Sequence, residues 1–395
     1  MRNIVYFIGA GLTKSLELPD KPVPLMWDFV SVMADHLDSD VILTTLAQLE
    51  NHNVYAWPSA EASALARALV GRQRDSNPEL RVKFRWALKN RPAESIESLL
   101  ERAAQPAGER PAEESPVRFN YAINQVFCRV GWDLDFDPLE TFLRHQFAPP
   151  DAQHTFVSHN YDLALDRAIQ HVSSGGWRPA DGYGFTIPYS VEDDPEPVKD
   201  GAFAGVQARP LSPRAGRPSS ITILKPHGSL NWLVPYKVPY QHGSYGLELQ
   251  PGPVIVPLTM SGELRYWPST GNFQPVKCPG DSPHDVGICI LPPIAGKQAP
   301  LPFLKATHEL QTRGIREASA CYVIGWSMPA TDTDQESLIR CAIQGRATEL
   351  EKVIVVNRGE RPEYFERVAS VFGVASNKLT IFNCGFRDFV QQTLG

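Results

Sequence analysis

Apolar positions fall into two kinds of run along this chain. Residues 3–8 form a short, nearly unbroken apolar stretch, β-branched and aromatic, closed at once by Gly9-Ala10-Gly11. Runs of the same kind recur at Thr155–Ser158, Ile221–Leu224, Ile288–Leu291, Cys321–Ile324 and Val353–Val356, with Thr380–Phe382 as a further one. A strand with one face in water alternates apolar and polar residues; a strand covered on both faces does not. These runs therefore predict a parallel sheet with helices on both faces.

Between the first and second runs the period changes. Phe29–Leu37, Val41–Leu49, Ala60–Val70, Val82–Leu88, Ile96–Ala103 and Tyr121–Val130 carry apolar residues three and four apart, the spacing of one helix face. Asp137-Pro138-Leu139-Glu140 reads as a helix start, with Asp137 as cap and proline in the first turn. After residue 288 strands and helices alternate again, with helices at Asp334–Gln344 and Pro362–Phe372.

Proline adds a third region. Of 35 prolines, 20 lie between Pro179 and Pro300, where ordinary helices are excluded because an internal proline removes a donor and clashes with the preceding turn. The segment 192–218 reads as an exposed loop, and 235–285 as irregular chain with short strands such as Val254–Val256. The expected fold class is α/β: a Rossmann-like parallel sheet with helices on both faces, an inserted helical subdomain and a proline-rich irregular insertion. The boundaries that follow are 1–27 with 150–234 and 286–395 for the nucleotide-binding domain, 28–149 for the helical insertion and 235–285 for the irregular one.

The 395 residues carry 43% apolar and 21% charged side chains, globular values, and a net charge of -6. That charge opposes a broad phosphate-binding surface, although Arg81, Lys83, Arg85, Lys89 and Arg91 interleave with Phe84 and Trp86. This basic stretch reads as a subunit contact, and no direct nucleic-acid binding is expected. Six cysteines include no C-x-x-C pair, so a zinc knuckle or ribbon is not expected and free thiols in a reducing compartment are. No apolar run reaches the ~18 residues of a membrane span. A cytoplasmic protein with no membrane contact is expected.

Small polar groups cluster just after the predicted strands, where open α/β sheets collect ligands. Gly9-Ala10-Gly11 is a side-chain-free turn whose N–H groups could approach a phosphate, although Lys14 stands where a dinucleotide fingerprint has its third glycine. Ser158-His159-Asn160-Tyr161-Asp162 places an amide and a carboxylate two residues apart. His227, on a turn with Gly228, can act as a base near neutral pH. Gly325-Trp326-Ser327-Met328-Pro329, followed by Asp332 and Asp334, and Val356-Asn357 close two later strands. Each also has a plain structural reading as a turn, a helix cap or a structural histidine.

In order, spacing and placement these motifs resemble the sirtuin-like superfamily. Gly9-Ala10-Gly11 with Thr13 resembles its opening glycine motif, and Leu18-Pro19-Asp20 loosely its Ile-Pro-Asp segment. Asn160 with Asp162 resembles Asn-x-Asp, and His227-Gly228 the catalytic His-Gly. Gly325-x-Ser327 and Asn357 resemble the two later adenosine-holding motifs. The resemblance covers roughly 1–25, 150–235 and 285–395. It implies NAD as substrate, Asn160 and His227 as catalytic residues, and Gly9, Ala10, Gly11, Thr13, Asp162, Gly325, Ser327 and Asn357 as NAD-binding residues.

Two departures narrow it. Only Cys278 and Cys289 lie between Leu230 and Pro300, too few for the four-cysteine zinc module of sirtuin deacylases. The helical insertion before Asn160 is also untypical of deacylases. Both point to the bacterial branch known for NAD hydrolysis in anti-phage defence, and imply no metal, a homo-oligomer, and a partner such as a HerA-type ATPase or a short Argonaute. The alternatives are an NAD-dependent protein deacylase and a non-catalytic module sensing NAD or ADP-ribose.

Overall fold

A computed structural model describes residues 2–25, 27–38, 42–43, 78–90, 114–131, 133–192, 206–213, 219–237, 240–241, 244–245, 248–267, 275–280, 284–291, 301–329, 332–347 and 349–395. The helices expected at Ala60–Val70 and Ile96–Ala103, most of Val41–Leu49, and much of the 192–218 loop lie outside the described residues.

The strands that position the site are β1 (Arg2–Ile8), β2 (Ala152–Ser158), β3 (Ile221–Leu224), β4 (Gly228–Lys237), β5 (His284–Ile290), β6 (Ala320–Ile324), β7 (Lys352–Val356) and β8 (Leu379–Phe382). The helices are α1 (Ala10–Lys14), α2 (Phe29–Met33), α3 (Pro78–Lys89), α4 (Glu114–Val130), α5 (Asp137–Phe147), α6 (Ala164–Val172), α7 (Pro302–Glu317), α8 (Thr333–Gln344), α9 (Pro362–Val371) and α10 (Phe386–Leu394).

Six strands form one parallel sheet in the order β8-β7-β6-β1-β2-β3. Numbered along the chain within this sheet, they read 3-2-1-4-5-6, the order of doubly wound dinucleotide-binding sheets. The fold is therefore α/β, with a Rossmann-like parallel sheet flanked by helices. Its unbroken apolar strands have the expected cause. In β1, Ile4, Tyr6 and Ile8 enter one core with Phe142 of α5 and Phe386 and Phe389 of α10. Val5 and Phe7 enter the opposite core with Ile315 of α7, Ile339 of α8 and Val368 of α9. Tyr6 stacks on Phe156 of β2 with ring centroids 4.3 Å apart, an offset pair worth about 0.5–1.5 kcal/mol beyond its burial.

Helices α2–α4 pack onto the first of these cores through Phe29, Phe84, Leu88, Ile123 and Val126. The basic segment lies on α3, where Lys89 pairs with Asp35 at 2.6 Å and Arg85 pairs with the same carboxylate. Asp137 does not cap α5. Phe136 occupies the cap position without a side-chain bond, and Asp137 is the first helical residue, with Pro138 in the first turn.

One strand expectation is corrected. The unbroken apolar pattern places Ile288–Leu291 in the parallel sheet. It falls instead in β5 and its exit, and β5 pairs antiparallel with β4 in a second, eight-stranded mixed sheet. The apolar run reflects burial of Ile288, Cys289 and Ile290, and burial on both faces does not specify strand direction. Pro210, Pro257 and Pro275 fall in strands of two or three residues, so the second sheet accommodates the proline-rich region by keeping those ladders short.

His154 of β2 is 3% exposed, with its Nδ1 3.0 Å from the Tyr6 hydroxyl. Burial pushes its pKa down to about 4. Between pH 6.5 and 4 the unfolded chain takes up a proton here that the folded chain does not, so stability held above pH 6.5 is lost as pH falls through this window. We expect this residue to remove about 2 kcal/mol between pH 7 and pH 5. Urea melts of wild type and His154→Gln measure it, the variant losing that part of the slope. Identical pH slopes would contradict a buried neutral imidazole.

Candidate active site

The sheet order reverses at the β1–β6 pair, and a cavity of ≈ 470 Å³ opens at the carboxyl ends of these strands. This volume is within the roughly 300–1,000 Å³ of small-molecule sites. All ten residues singled out from sequence line it: Gly9, Ala10, Gly11, Thr13, Asn160, Asp162, His227, Gly325, Ser327 and Asn357. Trp27, Phe29, Phe127, Trp326 and Phe386 supply apolar wall, and Lys14, Glu17, Arg358 and Glu360 supply charge.

The floor is a crossing of two glycine backbones. Gly9 follows β1, and a Cβ on it would lie 2.4 Å from Trp326 Cα. Gly325 follows β6 with φ +63°, and a Cβ there would lie 2.3 Å from the Leu12 nitrogen. No other residue type fits either place without moving backbone. The crossing also consumes donors that the sequence reading left for a phosphate. Gly9 N–H donates to Ile324 O at 3.0 Å and Gly11 N–H to Gly325 O at 2.9 Å. What the turn offers a ligand is therefore the Ala10 amide, in the first turn of α1, and a floor without side chains.

Asn160 and Asp162 leave the end of β2 and are used differently. Asn160 Nδ2 donates to Gly9 O and to Thr13 Oγ1, both at 3.1 Å. Because Gly9 O can only accept, the amide nitrogen must face it, which leaves Asn160 Oδ1 as the end for a ligand hydroxyl or water. Thr13 Oγ1 donates to Asp162 Oδ2 at 3.0 Å, and Asp162 Oδ1 accepts from Ala164 N–H at 2.9 Å. Thr13 and Asp162 thus fasten α1 to the loop that starts α6. Burial raises the Asp162 pKa against the pull of Lys225 and these donors.

Beneath this loop lies a buried ion pair. Lys225 and Asp166 have fully buried side chains 3.1 Å apart. Lys225 Nζ also donates to Asp162 O at 2.6 Å and Ser229 Oγ at 2.8 Å. Tyr183 donates to Asp166 Oδ1 at 2.6 Å. The pair anchors both sides of the His227 turn. In that turn Gly228 has φ +82°, and a Cβ on it would stand 2.1 Å from Cys289 O.

His227 does not stand alone. Its Nε2 is 3.3 Å from Asp332 Oδ1 and 3.4 Å from His159 Nδ1. His159 stacks on Trp326 at 4.2 Å with rings 5° from parallel, and Trp326 Nε1–H donates to Asp332 Oδ2 at 3.1 Å. Burial pushes the Asp332 carboxyl up, but the two imidazoles and the indole N–H outweigh it and hold it at about 2. Burial pushes His159 down to about 3. His159, His227 and Asp332 each bring one candidate ligand atom within 4.8 Å of the others and are the group of described residues that could hold a metal ion.

At the far end Asn357 is committed to the protein. Its Nδ2 donates to Trp326 O, Tyr364 Oη and Glu360 Oε1 at 3.1–3.2 Å. Ser327 is exposed at the rim. Sequence reasoning missed His159, Trp326 and Asp332 as a unit. His159 and Trp326 sit inside quoted motifs, so proximity to Asn160 and Ser327 was the available signal. Asp332 is separated from its strand by a loop whose path spacing does not reveal.

Comparison with protein-family models gives no match, and comparison with curated proteins gives none. Among solved structures the chain is similar to a crystal structure of Sir2 in complex with the inhibitor EX-527, 2'-O-acetyl-ADP-ribose and a deacetylated p53 peptide. Identity is 12%, over 100% of this chain and 93% of the other, with a TM-score of 0.34. At that TM-score the likeness carries no argument about this chain.

The Lys225–Asp166 pair yields a stability prediction. Lys225→Met leaves a buried carboxylate without its cation, and we expect a loss of about 3–5 kcal/mol in chemical denaturation. A loss below 1 kcal/mol would show that the pair does not anchor the turn.

Proposed function

We propose that the protein is an NAD+ hydrolase that cleaves the nicotinamide–ribose bond to give nicotinamide and ADP-ribose. The observation that carries this reading is the convergence of Asn160 and His227 over a side-chain-free glycine floor, in a cleft at the switch point of a dinucleotide-type sheet. The sirtuin-like motif order supports NAD as the substrate, and the missing four-cysteine module supports hydrolysis over deacylation.

The reaction needs little proton chemistry at the leaving group, because nicotinamide departs as a neutral molecule from a cationic ring. The transition state resembles an oxocarbenium ion. The protein's task is to hold the dinucleotide extended, shield the ribose and place a water. In this reading Ala10 N–H and the glycine floor take the pyrophosphate, and Asn160 Oδ1 holds the water or a ribose hydroxyl. His227 accepts the water's proton or bonds the ribose. Ser327 and the backbone that Asn357 fixes border the adenosine. Thr13 and Asp162 keep Asn160 in place rather than touching substrate.

A role in anti-phage defence, homo-oligomerisation and a HerA-type or Argonaute partner extend this reading from the resemblance. Exposed Val82 and Trp86, four residues apart on α3, support a contact surface there.

Hydrolysis of etheno-NAD by the purified protein, with and without an acylated peptide, tests the reaction. We expect fluorescence to rise without peptide, and Asn160→Ala and His227→Ala each to slow it by about 10²-fold or more while both variants still fold and melt cooperatively. Full activity in both variants, or NAD loss only with peptide, would overturn the assignment.

A further inference from the structure

We propose that His159, His227 and Asp332 form a binding site for a divalent first-row transition ion of the zinc class, and that an ion there holds the cleft at rest by engaging His227. The ion site stands on geometry alone; its regulatory consequence rests on the NAD-hydrolysis reading.

The three side chains stand close to metal-site spacing: two separations match it as they are, and the third, from His159 to the other carboxylate oxygen, is wider by about half an ångström, a gap that a small turn of the Asp332 carboxylate closes. His159 Nδ1 to His227 Nε2 is 3.4 Å, His227 Nε2 to Asp332 Oδ1 is 3.3 Å, and His159 Nδ1 to Asp332 Oδ2 is 3.9 Å. Ligands bound tetrahedrally at 2.0–2.1 Å lie about 3.3–3.4 Å from one another. Two imidazoles and one carboxylate are a donor set that zinc-class ions accept.

Charge gives the second line. The Asp332 side chain is 4% exposed, and among the described residues the basic groups within 4 Å of it are the rings of His159 and His227. Its Oδ1 accepts no hydrogen bond, although Oδ2 receives the Trp326 N–H. A buried carboxylate with one oxygen outside any hydrogen bond, and no lysine or arginine beside it among the described residues, is costly. A dication between the three side chains would offset that cost.

The ligands are also held in advance. Trp326 stacks on His159 and donates to Asp332, so one indole orients two of the three, as outer partners do in metal sites. The residues arrive from three separate places: the end of β2, the turn before β4 and the loop before α8. All three line the cleft, so a remaining coordination position faces the substrate space. An ion on Nε2 occupies the lone pair that His227 would use for a proton and fixes its ring away from the ribose. This departs from the expectation of no metal, which the cysteine spacing and the family resemblance imply.

The test begins with chain stripped by chelator and titrated with Zn2+ by calorimetry, and with Co2+ by visible absorption. We expect one high-affinity ion per chain and the d–d bands of a low-coordinate Co2+ site. His159→Asn and Asp332→Asn should weaken Zn2+ binding by at least the 10–100-fold that outer partners alone cost, with melts confirming that both fold. Equal Zn2+ binding by wild type and both variants, or the absence of Co2+ bands, would overturn the site. In the etheno-NAD assay Zn2+ should slow wild type reversibly, and the rate left in His159→Asn should not respond to it. Faster hydrolysis with Zn2+ would overturn the resting role while leaving the site. Zn2+ binding by a chain that never consumes NAD would overturn the hydrolysis reading and the resting role together, and again leave the site.

Discussion

Everything in the cleft depends on how closely two backbones pass. The chain leaving β1 at Gly9 and the chain leaving β6 at Gly325 approach so tightly that a Cβ on either would enter the other's backbone. Two hydrogen bonds, from the Gly9 and Gly11 amides to Ile324 and Gly325, lock the crossing. Because it sits where the strand order reverses, it fixes the floor of the one place in the sheet where flanking loops diverge. The same contact sets Trp326 immediately beyond Gly325, and Trp326 in turn orients His159 and Asp332. A backbone contact between glycines thus determines where an imidazole and a carboxylate stand.

The second constraint is polar burial. Thr13, Asn160, Asp162, Lys225 and Asp166 are all nearly or fully buried and are joined in one network of hydrogen bonds and an ion pair. Such a network is costly if half satisfied and rigid if complete. Here it ties α1, the loop before α6 and the His227 turn into one body, so that Asn160 presents a single atom, Oδ1, to the cleft. Several residues that motif reasoning assigns to ligand contact are engaged with the protein instead, and hold the few atoms that face the cleft.

Much of this was legible in the sequence. The unbroken apolar runs at residues 3–8, 155–158, 221–224, 321–324, 353–356 and 380–382 correspond to the six parallel strands, because burial on both faces suppresses alternation. The ten motif residues line one cavity, because strand ends in a parallel sheet all open on one edge. What was illegible has physical causes too. The run at 288–291 carries the same burial signature in an antiparallel sheet, since burial is blind to strand direction. The commitment of the Gly9 and Gly11 amides depends on Gly325, more than 300 residues away. Asp332 reaches His227 through a loop, and no period links the two.

The central claim is that this cleft holds NAD in one orientation for attack at the nicotinamide ribose. A crystal structure of the protein with ADP-ribose, the proposed product, tests it most directly. The account predicts pyrophosphate over Gly9–Gly11 beside the Ala10 amide, adenosine toward Ser327 and Asn357, and the free ribose between Asn160 Oδ1 and His227. ADP-ribose bound in the reverse sense, or outside this cleft, would contradict it.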